Sequence, residues 1–194
     1  MQNEEIDRTV LEIQLEKHHR ESYAWALNCC QRNPDDAQGV LQTVYLKLLE
    51  GKARFDGKSA FKTWLFSVIR NTAASRRRRR ILHRLKLAGY EQNARRQEVP
   101  DERVYRSELQ TMFCEALASL PRRQREVLQL VFYHDLTLSE AARVMQVSVG
   151  SARTHYERGK KQLRQWMEEA KVMDESGSGT RNNQSSVSQA EAGG

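Results

Sequence analysis

The sequence predicts an all-α protein built as two small helical domains joined by a flexible linker, the C-terminal one a helix-turn-helix. Period-two alternation of apolar and polar residues is absent. Apolar residues recur instead at helical spacing, and only 3 prolines interrupt the 194 residues. The expected boundaries are 5–81 for the first domain, 82–103 for the linker, 104–173 for the second domain and 174–194 for a tail.

Residues 5–32 read as one or two helices with Leu15, His19, Tyr23, Ala26 and Cys30 on a shared face. Asn33-Pro34-Asp35-Asp36 is a start signal: Asn33 can cap, Pro34 suits the first helical position, and the two acids suit the positive end of the helix dipole. The helix that follows carries a stripe of Val40, Leu41, Val44, Tyr45, Leu48 and Leu49, ended by Gly51. After a loop at 52–58, Ser59 opens the most periodic helix, with Phe61, Trp64, Leu65, Val68, Ile69, Thr72 and Ala73 as its stripe. Beyond Arg76–Arg80 the pattern lapses, and the polar mixture around Pro100 suits a linker. Periodicity resumes with Val104, Leu109, Met112, Phe113, Ala116 and Leu117. The tail is rich in Ser, Gly, Asn and Gln and is expected to be disordered, because it cannot bury enough surface to offset the entropy of ordering.

In the second domain Pro121 opens a helix with Val127, Leu130 and Val131 inward. Thr137 and Glu140 have capping-box spacing, and the small Ala141 and Ala142 let another helix come close. This short helix ends at Met145-Gln146-Val147, and Ser148 can cap the next. There Val149, Ala152, Tyr156, Gly159, Leu163 and Trp166 fall on one side. Gly150, Ser151, Thr154, Arg158 and Lys161 fall opposite, with Arg153 and Lys160 on the flanks. Short residues near the N-terminus, a positive helix end and outward cations are what a helix needs to enter a major groove and donate to guanine edges.

The bulk numbers narrow the function. A net charge of +7, with 29% charged residues, points to a polyanionic partner. No apolar run approaches the roughly 18 residues of a membrane span, and the acidic N-terminus has no apolar core behind it. A cytoplasmic protein without membrane insertion is therefore expected. Cys29, Cys30 and Cys114 lack metal spacing and read as buried reduced thiols. There is no Gly-rich phosphate loop, no paired-cysteine site and no HExxH motif. The expectation is thus no enzyme activity, no cofactor and no metal.

Aromatic residues with cations nearby suit single-stranded DNA, since every base offers a face for stacking. Phe55, Phe61, Trp64 and Phe66 lie on or beside the 52–58 loop, among Lys52, Arg54, Lys58, Lys62 and Arg70. Phe61 and Trp64 belong to the apolar stripe and read as core. Phe55, in the loop, and Phe66, off the stripe, read as free to stack. Arg76–Arg80 suits both a helix end and phosphate contact.

Three stretches resemble the extracytoplasmic-function (ECF) sigma factors of the sigma-70 class: Asp36–Tyr45, Phe55–Ala73, and Leu120-Pro121 through Leu163. The middle one is the most specific, through its aromatics, loop glycine and Arg-Asn pair. The resemblance implies a protein that binds core RNA polymerase and directs promoter recognition, melting and initiation. It implies that Asp36, Gln38, Gln42, Thr43 and Lys47 meet the polymerase, at the β′ clamp, with the β flap as a second contact. It implies that Phe55, Asp56, Gly57, Lys58 and Ser59 capture a flipped base of the −10 element, with Arg70, Asn71, Arg76 and Arg77 around it. Ser148, Gly150, Ser151, Arg153, Thr154, Arg158 and Lys161 would meet the −35 duplex, and an anti-sigma factor would be a further partner. The chain departs from the family pattern at Gln38, Gly39 and Thr43, where acidic residues are usual. It departs also at His155 for arginine, Gly159 for alanine, and Gln146 for a turn glycine whose φ is often positive. Two other readings fit part of the chain: a freestanding helix-turn-helix regulator, and a polymerase-binding factor that never melts DNA.

Overall fold

The structure, a computed structural model, describes residues 8–87 and 116–178. Its helices are α1 (Arg8–Lys17), α2 (His19–Cys29), α3 (Pro34–Leu49), α4 (Phe61–Leu87), α5 (Arg122–Phe132), α6 (Leu138–Met145) and α7 (Val149–Ser178). Residues 116–119 are also helical, and no strand occurs among the described residues.

The N-terminal module is the bundle α1–α4. The chain breaks between α1 and α2 at His18, whose ring pairs with Glu21 (Nδ1 to carboxylate, 3.1 Å) instead of capping the backbone. The break re-aims the face expected over 5–32. Leu15 and Ala26 are buried, but His19 is exposed, and Trp25 takes the centre instead. Trp25 is fully buried, and its indole N–H donates to the Phe66 carbonyl of α4 at 3.0 Å. A buried indole needs such a partner.

α3 begins as its sequence directs. Asn33 accepts the Asp36 backbone N–H at 2.9 Å, and Pro34 occupies the first turn. Val40, Leu41, Val44 and Leu48 are buried, Tyr45 is half-buried, and Leu49 turns outward. Gly51, at φ +67, reverses the chain and donates to the Leu48 carbonyl. α4 starts at Phe61, two residues later than the pattern suggests, with the Ala60 carbonyl accepting the Trp64 N–H. Asp56 explains the delay: its carboxylate takes the Lys58 N–H (3.2 Å), a local turn that competes with helix. α4 then continues through Leu87, past the expected linker start at 82. Arg, Leu and Lys are good helix formers, and neither Gly nor Pro intervenes. The remainder of the expected linker lies outside the described residues. So does the expected tail from 179 onward, whereas 174–178 belong to α7.

The C-terminal module is α5–α7, and it packs on the first. Leu65, Phe66 and Ile69 of α4 share one apolar cluster with Val127, Leu130, Leu136, Ala141 and Met145. Leu117, Leu120 and Leu128 form a small separate cluster under Tyr156. Gln146 is left-handed (φ 56, ψ 49), as expected for a residue standing where the turn favours glycine. Its N–H reaches the Arg143 carbonyl, and the Val147 N–H reaches Ala142. At Gly159 an added Cβ would lie 2.9 Å from Leu128 Cδ1 and 3.2 Å from Gln124 Cβ. α7 therefore sits on α5 at a separation where any Cβ would have to displace Leu128.

Two substitutions check this geometry in urea melts. Gln146→Gly relieves a left-handed residue of its Cβ and is expected to stabilise the fold by about 0.5–1 kcal/mol. Gly159→Val forces α5 and α7 apart and is expected to cost about 1–3 kcal/mol. A stabilising Gly159→Val would contradict the close approach.

Candidate nucleic-acid interface

The helix-turn-helix is held by its caps. The Glu140 N–H donates to Thr137 Oγ1 at 3.2 Å, and the Thr137 N–H returns to the Glu140 carboxylate at 2.9 Å. These Thr137 donors hold the Glu140 carboxyl below its ordinary range. Ser148 Oγ accepts the Ser151 N–H at 3.1 Å and starts α7. Ala152 and Gly159 are buried against the module, and Leu163 nearly so. Gly150, Ser151, Arg153, Thr154, Arg158 and Lys161 are exposed, so the outward face is polar and cationic. Val149, expected inward, is 45% exposed, because it is the first residue of the helix and lies beyond the edge of α6. Farther along, Tyr156 stacks on Phe132 (5.9 Å between centroids), and the Lys160 ammonium lies over its ring.

The aromatic loop closes on the start of α4. Phe55 lies 5.4 Å from Phe61 and 5.3 Å from Trp64, and all three rings are half-buried. Phe61 and Trp64 are thus less deeply placed than their stripe position implies. Asp56, Gly57 (φ +71) and Lys58 are exposed, and Ser59 is half-buried. Asn71 is exposed two helical turns beyond Trp64, on the same side of α4.

Phe66 reverses its expectation. It is 0% exposed, stacked on Trp25 (5.8 Å) and met edge-on by His134 from the α5–α6 turn (4.8 Å). It is therefore core at the junction of the modules and not free to stack on a base. Arg70 follows it there. It is 7% exposed, and its guanidinium pairs with Glu126 of α5 at 3.2 Å. Glu126, 3% exposed, also receives Arg122 and Arg123 of its own helix. Thr63 donates to Glu140 (3.4 Å), and Arg143 donates to the Lys58 carbonyl (3.0 Å). The predicted loop and Asn71 thus stand together on one side of α4, while Arg70 is drawn to the side covered by the second module. Trp25, Glu126 and His134 are the residues that the sequence pattern missed. An acid set inside an apolar stripe beside Val127 was the one available signal.

The basic run divides. Arg76 pairs with Asp36 (3.6 Å), Arg80 pairs with the same carboxylate, and Arg78 donates to Ser75. Among the residues expected to meet polymerase, Asp36 is thereby engaged and the Thr43 hydroxyl donates to the Gly39 carbonyl (2.7 Å). Gln38 and Gln42 are exposed, and Lys47 is half-buried. Cys29 and Cys30 are free and half-buried. Burial, with Asp36 adding to it, pushes the Cys30 thiol up to about 11, and burial also raises Cys29, so both are poor nucleophiles. Cys114 lies outside the described residues. Among the described residues no cluster of His, Cys, Asp or Glu could hold a metal ion, and no helix is long and apolar enough to cross a membrane.

One module carries an aromatic, basic loop and the other a capped helix-turn-helix with an outward cationic face, surfaces suited to DNA. Residues 15–81 match the family Sigma-70 region 2, and residues 116–165 match Sigma-70, region 4. The chain is 28% identical to the ECF RNA polymerase sigma factor SigX of Bacillus subtilis over 81% of its length and 83% of that protein. It is 24% identical to SigW of the same organism, over 68% and 75%. In fold it is similar to the sigma factor RpoE of Bartonella quintana, solved with the anti-sigma factor NepR (TM-score 0.65, 22% identity, 81% and 96% covered). It is also similar to CnrH, solved with the cytosolic domain of CnrY (TM-score 0.56, 20% identity, 84% and 90% covered). The chain belongs to the sigma-70 family, as an ECF sigma factor that binds core RNA polymerase. Sigma factors are regulatory proteins, not enzymes.

The junction has a pH dependence of its own. Burial, with Lys62 adding, depresses His134 from 6.5 to about 4, against the pull of Glu21 and Asp135. A histidine kept neutral by docking stabilises the docked form fully above pH 6.5, and that contribution is lost as pH falls toward 4. The loss is up to about 3 kcal/mol. X-ray scattering between pH 7 and 4.5 should show the modules separating. His134→Phe should shift that transition to lower pH, and an unshifted transition would assign the pH response to other groups.

Proposed function

We propose that the two modules divide the promoter between them. The outward face of α7 (Ser148, Gly150, Ser151, Arg153, Thr154, Arg158 and Lys161) meets the −35 duplex. The loop Phe55–Ser59, with Asn71 beside it, holds a flipped base of the −10 element, and Arg77 meets a nearby phosphate. Flipping costs a few kcal/mol, which stacking and edge hydrogen bonds must return. Asp36, Gln38, Gln42, Thr43 and Lys47 lie on or beside the α3 surface that meets the β′ clamp, and the second module meets the β flap. On this reading residues 5–81 are region 2, 82–103 the connection and 104–173 region 4, working in the cytoplasm. An anti-sigma factor of the kind bound by the two structural relatives is a fitting partner.

The observation that carries this reading is the presence of both surfaces in one chain. A freestanding regulator needs the α7 face but has no use for an aromatic loop beside an exposed Asn71. The packed arrangement adds a condition. Arg70 can join the −10 site only if Glu126 releases it, which requires the modules to part.

Run-off transcription with core polymerase tests the division. Arg153→Ala should lower initiation about tenfold on duplex promoters, the value of one good base contact, and much less on templates premelted over the −10 element. Phe55→Ala and Asn71→Ala should slow open-complex formation by a similar factor while leaving −35 duplex binding in place. Equal losses on both templates for all three variants would overturn the assignment.

A further inference from the structure

The five arginines at 76–80 lie on consecutive positions of α4 and are all exposed, yet their partners differ. Arg76 and Arg80, one turn apart, both face α3 and converge on Asp36. Asp36 is a good receiver. It sits in the first turn of α3, where the helix dipole favours a carboxylate, and the Asn33 cap fixes that turn. The guanidinium of Arg76 also lies across the α3 backbone at Gly39. A Cβ there would be 2.3 Å from Arg76 Nη1 and 2.9 Å from its Cζ. No other residue type leaves that space open. Cys30, Val40 and Ala73 line the same small cleft, so the aliphatic stem of Arg76 has apolar contact beneath it; Arg77 also borders this cleft but makes no ion pair there. Among the described residues Arg77 and Arg79 make no ion pair, and Arg78 meets only the Ser75 hydroxyl.

We propose that Asp36 is an internal counter-ion that sets how many of these arginines reach DNA. It seats Arg76 and Arg80 on α3, in a slot that exists because residue 39 is glycine, and leaves Arg77, Arg78 and Arg79 to the phosphates. Asp36 and Gly39 are then positioning residues for the basic helix. The proposal deepens the −10 reading above, and it removes Arg76 from the set of direct contacts. It does not depend on which base is flipped, but it requires that Asp36 keep Arg76 and Arg80 while α3 meets polymerase.

The salt dependence of promoter binding reads the count of neutralised phosphates directly, at about 0.9 in the log–log slope per duplex phosphate and about 0.7 per single-strand phosphate. The measurement uses preassembled holoenzyme on a −10 fork-junction DNA, between about 50 and 200 mM salt. In the native chain Arg77→Ala should flatten the slope by about 0.7–0.9, and Arg76→Ala should leave it within experimental error. Gly39→Ala pushes only the flexible end of Arg76 aside and replaces a helical glycine by a better helix former. It should therefore keep the fold, which circular dichroism checks, and free Arg76. The slope should steepen by about 0.7–0.9, adding about a threefold loss of affinity over that salt range. Adding Arg76→Ala to Gly39→Ala should return the slope to the native value. This reversal separates the proposal from a structural ion pair, whose loss would change stability but not the slope. Equal flattening by Arg76→Ala and Arg77→Ala in the native chain, or no change with Gly39→Ala, would overturn it. Unchanged fork-junction binding and open-complex formation in both Phe55→Ala and Asn71→Ala, with these slopes as expected, would sink the base-capture reading instead.

Discussion

Glu126 is the residue around which the two modules are arranged. An ionised carboxylate buried this deeply must be surrounded by donors, and three arginines meet it: Arg70 from the first module and Arg122 and Arg123 from its own helix. The supply is asymmetric. When the modules part, Glu126 keeps its own two arginines and gains water, while Arg70 leaves a buried pair for solvent. Neither charge is stranded in an apolar interior, so separation does not carry the several-kcal/mol penalty of an orphaned buried ion. Such a pair adds little net stability but allows only one register, since a shift of α5 by one residue would set Val127 against Arg70. The attraction comes from the apolar part of the junction, where Phe66 lies between Trp25 and His134. The interface is therefore specific in geometry and moderate in strength, which suits a contact that must open.

The same junction governs which DNA-reading surface is available. Its polar contacts reach α4 and the preceding loop at Lys58, Thr63 and Arg70. From the second module they draw on α5 and on Glu140 and Arg143 of α6. Among the described residues none is taken from the exposed face of α7. The helix-turn-helix has its own caps at Thr137 and Ser148 and its own close seat at Gly159, while the core residues of α5 and α6 are shared with the first module. One surface is ready for duplex DNA in the packed state, and the other is partly covered.

Local signals in the sequence were easily legible, and signals that depend on a second body were not. The caps at Asn33, Thr137 and Ser148 act within a few residues of their targets, so the residue types alone specify them. The left-handed Gln146 was readable only through the family pattern, which has glycine at that turn. Trp64 does pack on the core, though half-buried, whereas Phe66 was misassigned because α4 has two buried sides. One packs on α2 and α3 and produces the stripe of Leu65 and Ile69. The other is covered by the C-terminal module and buries Thr63, Phe66 and Arg70, which a single-face reading leaves in solvent. Trp25 escaped notice through the same logic, since the break at His18 re-aims α2. The end of α4 was missed for a different reason. Loss of apolar period marks where packing on the bundle stops, but a run of arginine, leucine and lysine propagates helix without packing.

Charge is where the bulk reading needs most refinement. A formal charge of +7 identifies the kind of partner but not the cations that meet it. Part of the basic helix is neutralised within the protein: Asp36 of the first module engages Arg76 and Arg80, and Glu126 of the second engages Arg70. The α7 face keeps its cations, because among the described residues no carboxylate pairs with Arg153, Arg158 or Lys161. Unpaired cations attract any phosphate backbone, whatever its sequence. A region that handles melted strands gains selectivity when its arginines are held back, since indiscriminate attraction to duplex DNA would compete with the productive complex. The acids of this chain therefore shape its basic surfaces as much as the arginines do.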